Sequence, residues 1–157
     1  MEELTQPKGV VIPENIHLLG VNIANAQVNS SISDSAGWDE LTLNIGSATL
    51  FNEDYLCRLS LMIDIEKPGE DGQPPMIKAN FSIDFDFQID NIMELIVVEE
   101  GSKTVVNASR QLGISLMGIA YSTARGIILT RTGGTVLNGL ILPVVDTAKL
   151  LDAPIKK

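Results

Sequence analysis

Apolar and polar residues alternate along the first half of the chain in the manner of β-strands. The clearest segment runs from Ile77 to Ile89, where every second residue is apolar and the residues between them are polar. A second segment, from Tyr55 to Glu66, places most of its apolar residues on one face. A period of two over such lengths is typical of antiparallel strands that bury one face. Both segments therefore predict half-buried antiparallel strands.

Two earlier segments show the same alternation with a change of phase inside each. Ile16 to Ser31 changes phase near Ala24–Asn25, and Leu41 to Leu50 changes phase at Gly46–Ser47. An extra residue in one strand of a pair moves the side chains that follow it to the opposite face. We therefore expect four strands in all, with a β-bulge in each of the first two.

The spacing of apolar residues changes to three or four in the second half of the chain. This spacing predicts one long helix from about Ser102 to Thr130, with Ser102 as its N-cap and Gly133–Gly134 as its end. The helix is apolar on more than one side, so we expect it to pack on the sheet and against a second subunit. Asp146 is placed to cap a short helix that ends near Leu151.

Four consecutive strands followed by helices predict an α+β fold. We expect a four-stranded antiparallel sheet packed on a long helix, with a short C-terminal helix. The length of 157 residues suits one domain with its own core. We place a flexible N-terminal arm at residues 1–15, where Pro7 and Pro13 lie among polar residues. A single domain follows at residues 16–152, and a short tail at residues 153–157.

Charge and cysteine content narrow the range of functions. The chain has 20 acidic and 11 basic residues, for a net charge of −9. Nucleic-acid binding depends on Lys and Arg at the phosphates, so we expect no nucleic-acid partner. Cys57 is the single cysteine, and Glu2 and Glu3 stand where a secretory signal would have basic residues. We therefore expect a cytoplasmic protein in a reducing compartment.

One stretch, from Leu112 to Thr130, is apolar enough to suggest a membrane span. Arg125 lies well inside it, and a central arginine costs about 2.5–3.5 kcal/mol on insertion scales. We therefore expect a buried helix and no membrane insertion.

No arrangement of residues in the sequence predicts catalysis. His17 is the single histidine and has no metal-ligand partners at the spacing of a zinc site, while Cys57 falls on an apolar strand face. We expect that the protein is not an enzyme and that it binds no metal and no cofactor. Asp84 and Asp86 share the polar face of the last strand, where they serve either solubility or the docking of a basic partner. Trp38 either packs over the edge of the core or forms an aromatic wall for an apolar peptide.

Short segments along nearly the whole chain, from about Ile16 to Leu151, resemble the SecB export-chaperone family. The resemblance lies in their order and spacing: Trp38–Ile45, Asn52–Leu56, Ala124–Arg125, Gly134–Thr135 and Pro143–Val144. They are similar to the Trp-led start of that family's second strand, its acidic turn before the third strand, the Ala-Arg pair of its long helix and the segment between its two helices.

The resemblance implies a homo-oligomer, a tetramer built as a dimer of dimers with the long helices at the interface. It also implies an ATP-independent holdase that binds unfolded or extended apolar polypeptide segments, with delivery to the SecA motor of the export machinery. Trp38 is carried over as a candidate lining residue of the peptide groove. The apolar pattern by itself adds Leu41, Leu43 and Tyr121 to that groove.

The sequence departs from the family at positions that bear on SecA docking. The first strand, Ile16 to Ser31, lacks the carboxylates that the family uses there, and Asp84 and Asp86 supply only part of an acidic surface. A chaperone dedicated to a single client such as an antitoxin is therefore an alternative. Two further alternatives are an enzyme or small-ligand binder on a related fold, and a non-enzymatic assembly protein.

Overall fold

The main sheet of the computed structural model has four antiparallel strands in the order β1-β4-β3-β2. Their bounds are β1, Ile16–Ser30; β2, Thr42–Phe51; β3, Cys57–Lys67; and β4, Ile77–Ile89. The structure describes residues 5–32 and 40–152. The four predicted strands are confirmed, and the α+β class with a long helix and a short C-terminal helix is confirmed with them.

Burial alternates residue by residue along the two central strands. On β3 the odd-numbered residues from Cys57 to Ile65 face the core, and on β4 those from Ile77 to Ile89 do so. The antiparallel register sets these residues side by side, as in the Leu61↔Ile83 pair. The other face of the sheet carries the polar residues of the same strands, so one face makes the core and the other remains open.

The register confirms one predicted bulge and corrects the other. β1 shifts against β4 between Ile23 and Asn25, as the phase change predicted, and again between Leu18 and Gly20. The bulge predicted at Gly46–Ser47 was wrong, because β2 pairs with β3 without a break. The apolar phase changes there because Ser47 occupies a core-face position, where its hydroxyl donates to the Leu150 carbonyl at 3.2 Å.

The long helix begins later than predicted. Beyond β4 come the short helix α1, Ile92–Leu95, and a two-stranded hairpin of β5, Ile96–Val98, and β6, Val105–Ala108. Helix α2 follows at Arg110–Arg131, with Ser109 as its N-cap. The prediction that Ser102 is the N-cap was wrong, because its hydroxyl accepts from the Thr104 amide inside the hairpin turn.

The C-terminal part folds back along α2. Helix α3, Thr147–Leu151, begins at Asp146, whose side chain accepts from the Ala148 amide. The Tyr121 hydroxyl donates to the Pro143 carbonyl at 2.7 Å, and the Arg125 Nε donates to the Leu142 carbonyl at 2.9 Å. These bonds attach the segment between the two helices to the side of α2.

Helix α2 is long and apolar enough to cross a membrane by length and composition alone, a test that the core helices of soluble proteins also pass. Its buried residues pack in the same cluster as those of β3 and β4. They are Leu112, Leu116, Met117, Ala120, Tyr121, Ala124 and Ile128.

Candidate functional site

A cleft of about 390 Å³ lies where four elements meet: the end of β2, strand β6, the first turns of α2, and α3. Most of its lining is apolar. The lining includes Thr49, Phe51, Val105, Val106, Leu116 and Leu151. One of the apolar lining side chains, that of Val106, is 45% exposed. We call this site the β2–β6 cleft.

Local sequence signals position the wall of the cleft that α2 provides. The Ser109 Oγ accepts from the Leu112 amide at 3.3 Å, so the helix begins directly after β6. One turn later, Gly113 faces Leu151, and a Cβ atom at Gly113 would lie 2.8 Å from a Leu151 methyl carbon. The absent side chain therefore lets α3 approach α2 closely.

An ion pair joins the two helices beside the cleft. Both terminal nitrogens of the Arg110 guanidinium donate to the Asp152 carboxylate at 2.9 Å. The hydrogen bonds from Arg110 hold the pKa of Asp152 below its usual range. Both side chains are exposed, so the pair serves to orient α3 more than to stabilise the fold.

Three of the four residues predicted to line a peptide groove are described by the structure, and none of the three lines the β2–β6 cleft. Leu41 and Leu43 are half-buried and pack against the core, and Leu43 stands opposite Ile65 in the sheet. Tyr121 belongs to the same core and is 3% exposed. Trp38 lies outside the described residues. A role for these four side chains in binding a client stays a prediction.

The open face of the sheet holds the two predicted docking carboxylates, and both already have partners. Arg58 donates to Asp86 through two nitrogens, at 2.7 and 3.0 Å, and the Ser60 hydroxyl donates to Asp84 at 2.6 Å. The hydrogen bond from Arg58 lowers the pKa of Asp86. Arg58 also offsets one negative charge, which weakens the attraction of this face for a basic partner. Docking at these residues stays a prediction.

The two reactive side chains singled out in the sequence lie in separate places. Burial, and secondarily the Asp86 charge, raises the pKa of Cys57 to about 12, so its thiol is almost wholly protonated at neutral pH. His17 lies on the exposed part of β1, with Nε2 2.9 Å from the Asp90 carboxylate. Across residues 5–32 and 40–152, no group of three or more His, Cys, Asp and Glu side chains could hold a metal ion.

Sequence reasoning missed the cleft because it missed the β5–β6 hairpin. Ile96–Val98 and Val105–Val106 are short runs of β-branched residues around a Gly101-Ser102 turn, which is a hairpin signal. Val105 and Val106 also fit the helical spacing of α2, and the longer pattern concealed the shorter one. Gly101 has φ of +77°, a conformation that favours glycine in such a turn.

Comparison with known proteins supports the architecture. No protein-family model and no curated protein sequence matches the chain. Among solved structures, the chain is similar to the SecB-like chaperone of Mycobacterium tuberculosis, solved in complex with a ChAD peptide from the HigA1 antitoxin. The TM-score is 0.55 at 13% identity, over 84% of this chain and 91% of that one. The likeness shows that this chain has a SecB-like fold.

Proposed function

We propose that this protein is a chaperone that binds extended, apolar segments of other polypeptides without ATP. The observation that carries the proposal is the β2–β6 cleft, a depression whose lining is mostly apolar and includes the exposed side chain of Val106. The SecB-like neighbour holds a peptide of an antitoxin, which supports a polypeptide as the ligand. Burial of apolar surface contributes about 25 cal/mol per Å², with little dependence on client sequence.

Suppression of aggregation tests this proposal. A chemically denatured model protein is diluted into buffer that contains a molar excess of this protein and no nucleotide, and light scattering follows aggregation. We expect scattering to fall by about half or more, because apolar client surface is covered. Unchanged scattering at molar excess contradicts the proposal.

A matched pair of variants assigns the activity to the cleft. Val106→Asp places a charge in the lining of the cleft, whereas Val144→Asp makes the same change at a site that is more exposed and lies outside the lining. We expect Val106→Asp to reduce suppression several-fold, because an unpaired carboxylate opposes burial of apolar client surface. Val144→Asp should leave suppression unchanged, and equal loss in both variants counts against the cleft.

A chaperone dedicated to one client, such as an antitoxin, is a second candidate. Two observations favour it over general delivery to the SecA motor: β1 has no carboxylates, and Arg58 offsets the charge of Asp86. A purified SecA binding assay with wild type and Arg58→Gln separates the two roles. Binding that strengthens in the variant supports docking on this face, whereas no binding in either protein favours a dedicated client.

We further propose that the protein forms a homo-oligomer in the cytoplasm. Ile119 and Leu129 are partly exposed on α2, which supports a subunit contact along this helix. Native mass spectrometry should give a tetramer or a dimer. A monomer at micromolar concentration contradicts this part and leaves polypeptide binding to be judged by the aggregation assay.

A further inference from the structure

A tight turn follows the end of α2 and contains the one Asn-Gly pair in the sequence, Asn138–Gly139. The Asn138 amide donates to the Thr135 carbonyl and the Leu140 amide donates to the Leu137 carbonyl, both at 3.0 Å. The chain is held in the core on either side, because Leu137 and Leu142 are almost fully buried. The turn is therefore a short exposed loop between two fixed points.

The peptide nitrogen of Gly139 is unprotected. It donates no hydrogen bond to any residue of the ranges 5–32 and 40–152. The φ of Gly139 is +85°, a conformation that glycine adopts without strain. A Cβ atom at this position would have no neighbour within 4 Å, so the turn is open to water and has room to change its shape. The nitrogen is therefore free to act as a nucleophile.

The side chain of Asn138 is unrestrained as well. It is exposed, and its amide makes no hydrogen bond within the part of the chain that the structure describes. Other asparagines are held in place. The Asn52 side chain accepts from two backbone amides of its own turn at 2.9 Å, and Asn29, which precedes the small residue Ser30, is paired with β4 in the main sheet. At Asn138 a free amide and an unprotected glycine nitrogen are neighbours.

We propose that Asn138 is a site of spontaneous deamidation, in which the Gly139 nitrogen attacks the side-chain carbonyl carbon of Asn138. A bond forms between this nitrogen and Cγ while the Cγ–Nδ2 bond breaks. The peptide nitrogen loses its proton, and the departing amide nitrogen gains one and leaves as ammonia. Water then opens the resulting succinimide ring. Addition of water at Cγ gives aspartate, and addition at the backbone carbonyl carbon gives isoaspartate, so water is the only other reactant.

The product alters the turn in two ways. A carboxylate replaces a neutral amide close to the C-terminal end of α2, where the helix dipole disfavours negative charge. The Asn138 Oδ1 lies 4.0 Å from the position of a Cβ atom at Gly133, which is the second residue beyond that helix. Isoaspartate also lengthens the backbone by one carbon between the fixed residues Leu137 and Leu142. Both changes should loosen the turn, and neither depends on the proposed chaperone function.

Peptide mapping by mass spectrometry tests the proposal. Purified wild-type protein is incubated in mildly alkaline buffer and sampled at intervals, with digestion at acidic pH to prevent deamidation during handling. Electron-transfer fragmentation assigns the modified residue and distinguishes isoaspartate from aspartate. We expect Asn138 to deamidate at least about tenfold faster than Asn29, whose backbone is held in the sheet. Equal or slower deamidation at Asn138 overturns the inference.

The unfolded chain is the reference for the effect of the native turn. The same mapping is carried out on the wild-type protein in denaturing urea. We expect the rate at Asn138 in the folded protein to stay within about tenfold of the rate in urea, because the turn is exposed and lightly bonded. A folded protein that deamidates there more slowly than this is protected by its turn, and that result overturns the inference.

A matched pair of variants assigns the new charge to Asn138. Asn138→Gln keeps a neutral amide but requires a larger ring, which closes far more slowly. Asn29→Gln makes the same change at a site held in the sheet. An acidic form on anion exchange should accumulate in the wild type and in Asn29→Gln, and should be almost absent from Asn138→Gln. Accumulation at the same rate in all three proteins overturns the assignment.

Amide hydrogen exchange by NMR measures the loosening of the turn. The deamidated form is separated from aged protein by anion exchange and compared with fresh protein. The Leu140 amide, which is bonded to the Leu137 carbonyl, should exchange at least about threefold faster in the deamidated form. The Leu116 amide, in the middle of α2, should be unchanged. Equal exchange at Leu140 in the two forms overturns the loosening, and peptide mapping still decides the deamidation.

Discussion

The two central strands and the rim around the β2–β6 cleft differ in what holds them in place. On β3 and β4, adjacent residues pair in register and bury one face completely, as at Phe85 opposite Leu59. The rim is assembled from β2, β6, α2 and α3, and side-chain contacts such as those of Ser47 with Leu150 and of Arg110 with Asp152 join these elements. The centre therefore supplies most of the stability, and the rim forms the walls of the cleft that we propose as the binding site.

The largest expected effect on stability comes from truncating one phenylalanine in each region. Phe85→Ala removes a ring that is fully buried, and we expect unfolding free energy to fall by about 3–5 kcal/mol. Phe51→Ala, at the half-buried rim, should cost about half as much or less. Denaturant unfolding measures both losses, provided that the dependence of the unfolding free energy on denaturant concentration is the same in each protein. Equal losses would show that the rim is part of the rigid core.

Removing the hydroxyl of Ser47 tests the contact between β2 and α3. Ser47→Ala leaves the buried Leu150 carbonyl without this donor, and we expect a loss of about 1 kcal/mol in unfolding free energy. Thr49→Ala is the control, since Thr49 faces the same way along β2 and is exposed. A larger effect in the control would mean that the Ser47 bond does not hold α3.

A double-mutant cycle measures how closely α3 approaches α2. In a Leu151→Ala background, Gly113→Ala should stabilise the protein by about 0.5–1 kcal/mol, because alanine is the better helix former. In the wild type the new methyl group meets Leu151, so the same change should gain less or destabilise. Thermal unfolding of the four proteins gives the coupling, and additive effects would contradict the close approach.

The smallest expected effect concerns the open face of the sheet. The Asp86 pKa is lowered by Arg58, so its contribution to stability is present above the unfolded pKa of about 3.9 and is lost as pH falls through the lower folded pKa. Arg58→Gln should raise the Asp86 pKa toward its usual range, while stability at pH 7 changes little because water screens this exposed ion pair. An NMR pH titration of the Asp86 side chain measures the shift, and an unchanged pKa contradicts the ion pair.

Sequence periodicity located the elements with strong local patterns. Ile77–Ile89 is a strand with the predicted bounds, and the phase change near Ala24–Asn25 is a bulge. Prediction failed where one pattern allowed two structures. Val105 and Val106 satisfy both a strand and the first turn of a helix, and Ser102 and Ser109 are equally good N-caps by residue type. Pairing with β5, which is a tertiary contact, decided in favour of the strand.

The sequence by itself determined the α+β class, the four strands of the main sheet and the side of each central strand that faces the core, because period-two alternation is a local property of the chain. The tertiary structure alone decided the β2–β6 cleft. Its walls come from Thr49, Val106 and Leu151, which are far apart in sequence. A concave surface of this kind follows from the packing of a sheet edge against a hairpin and two helices, and no local pattern encodes that geometry.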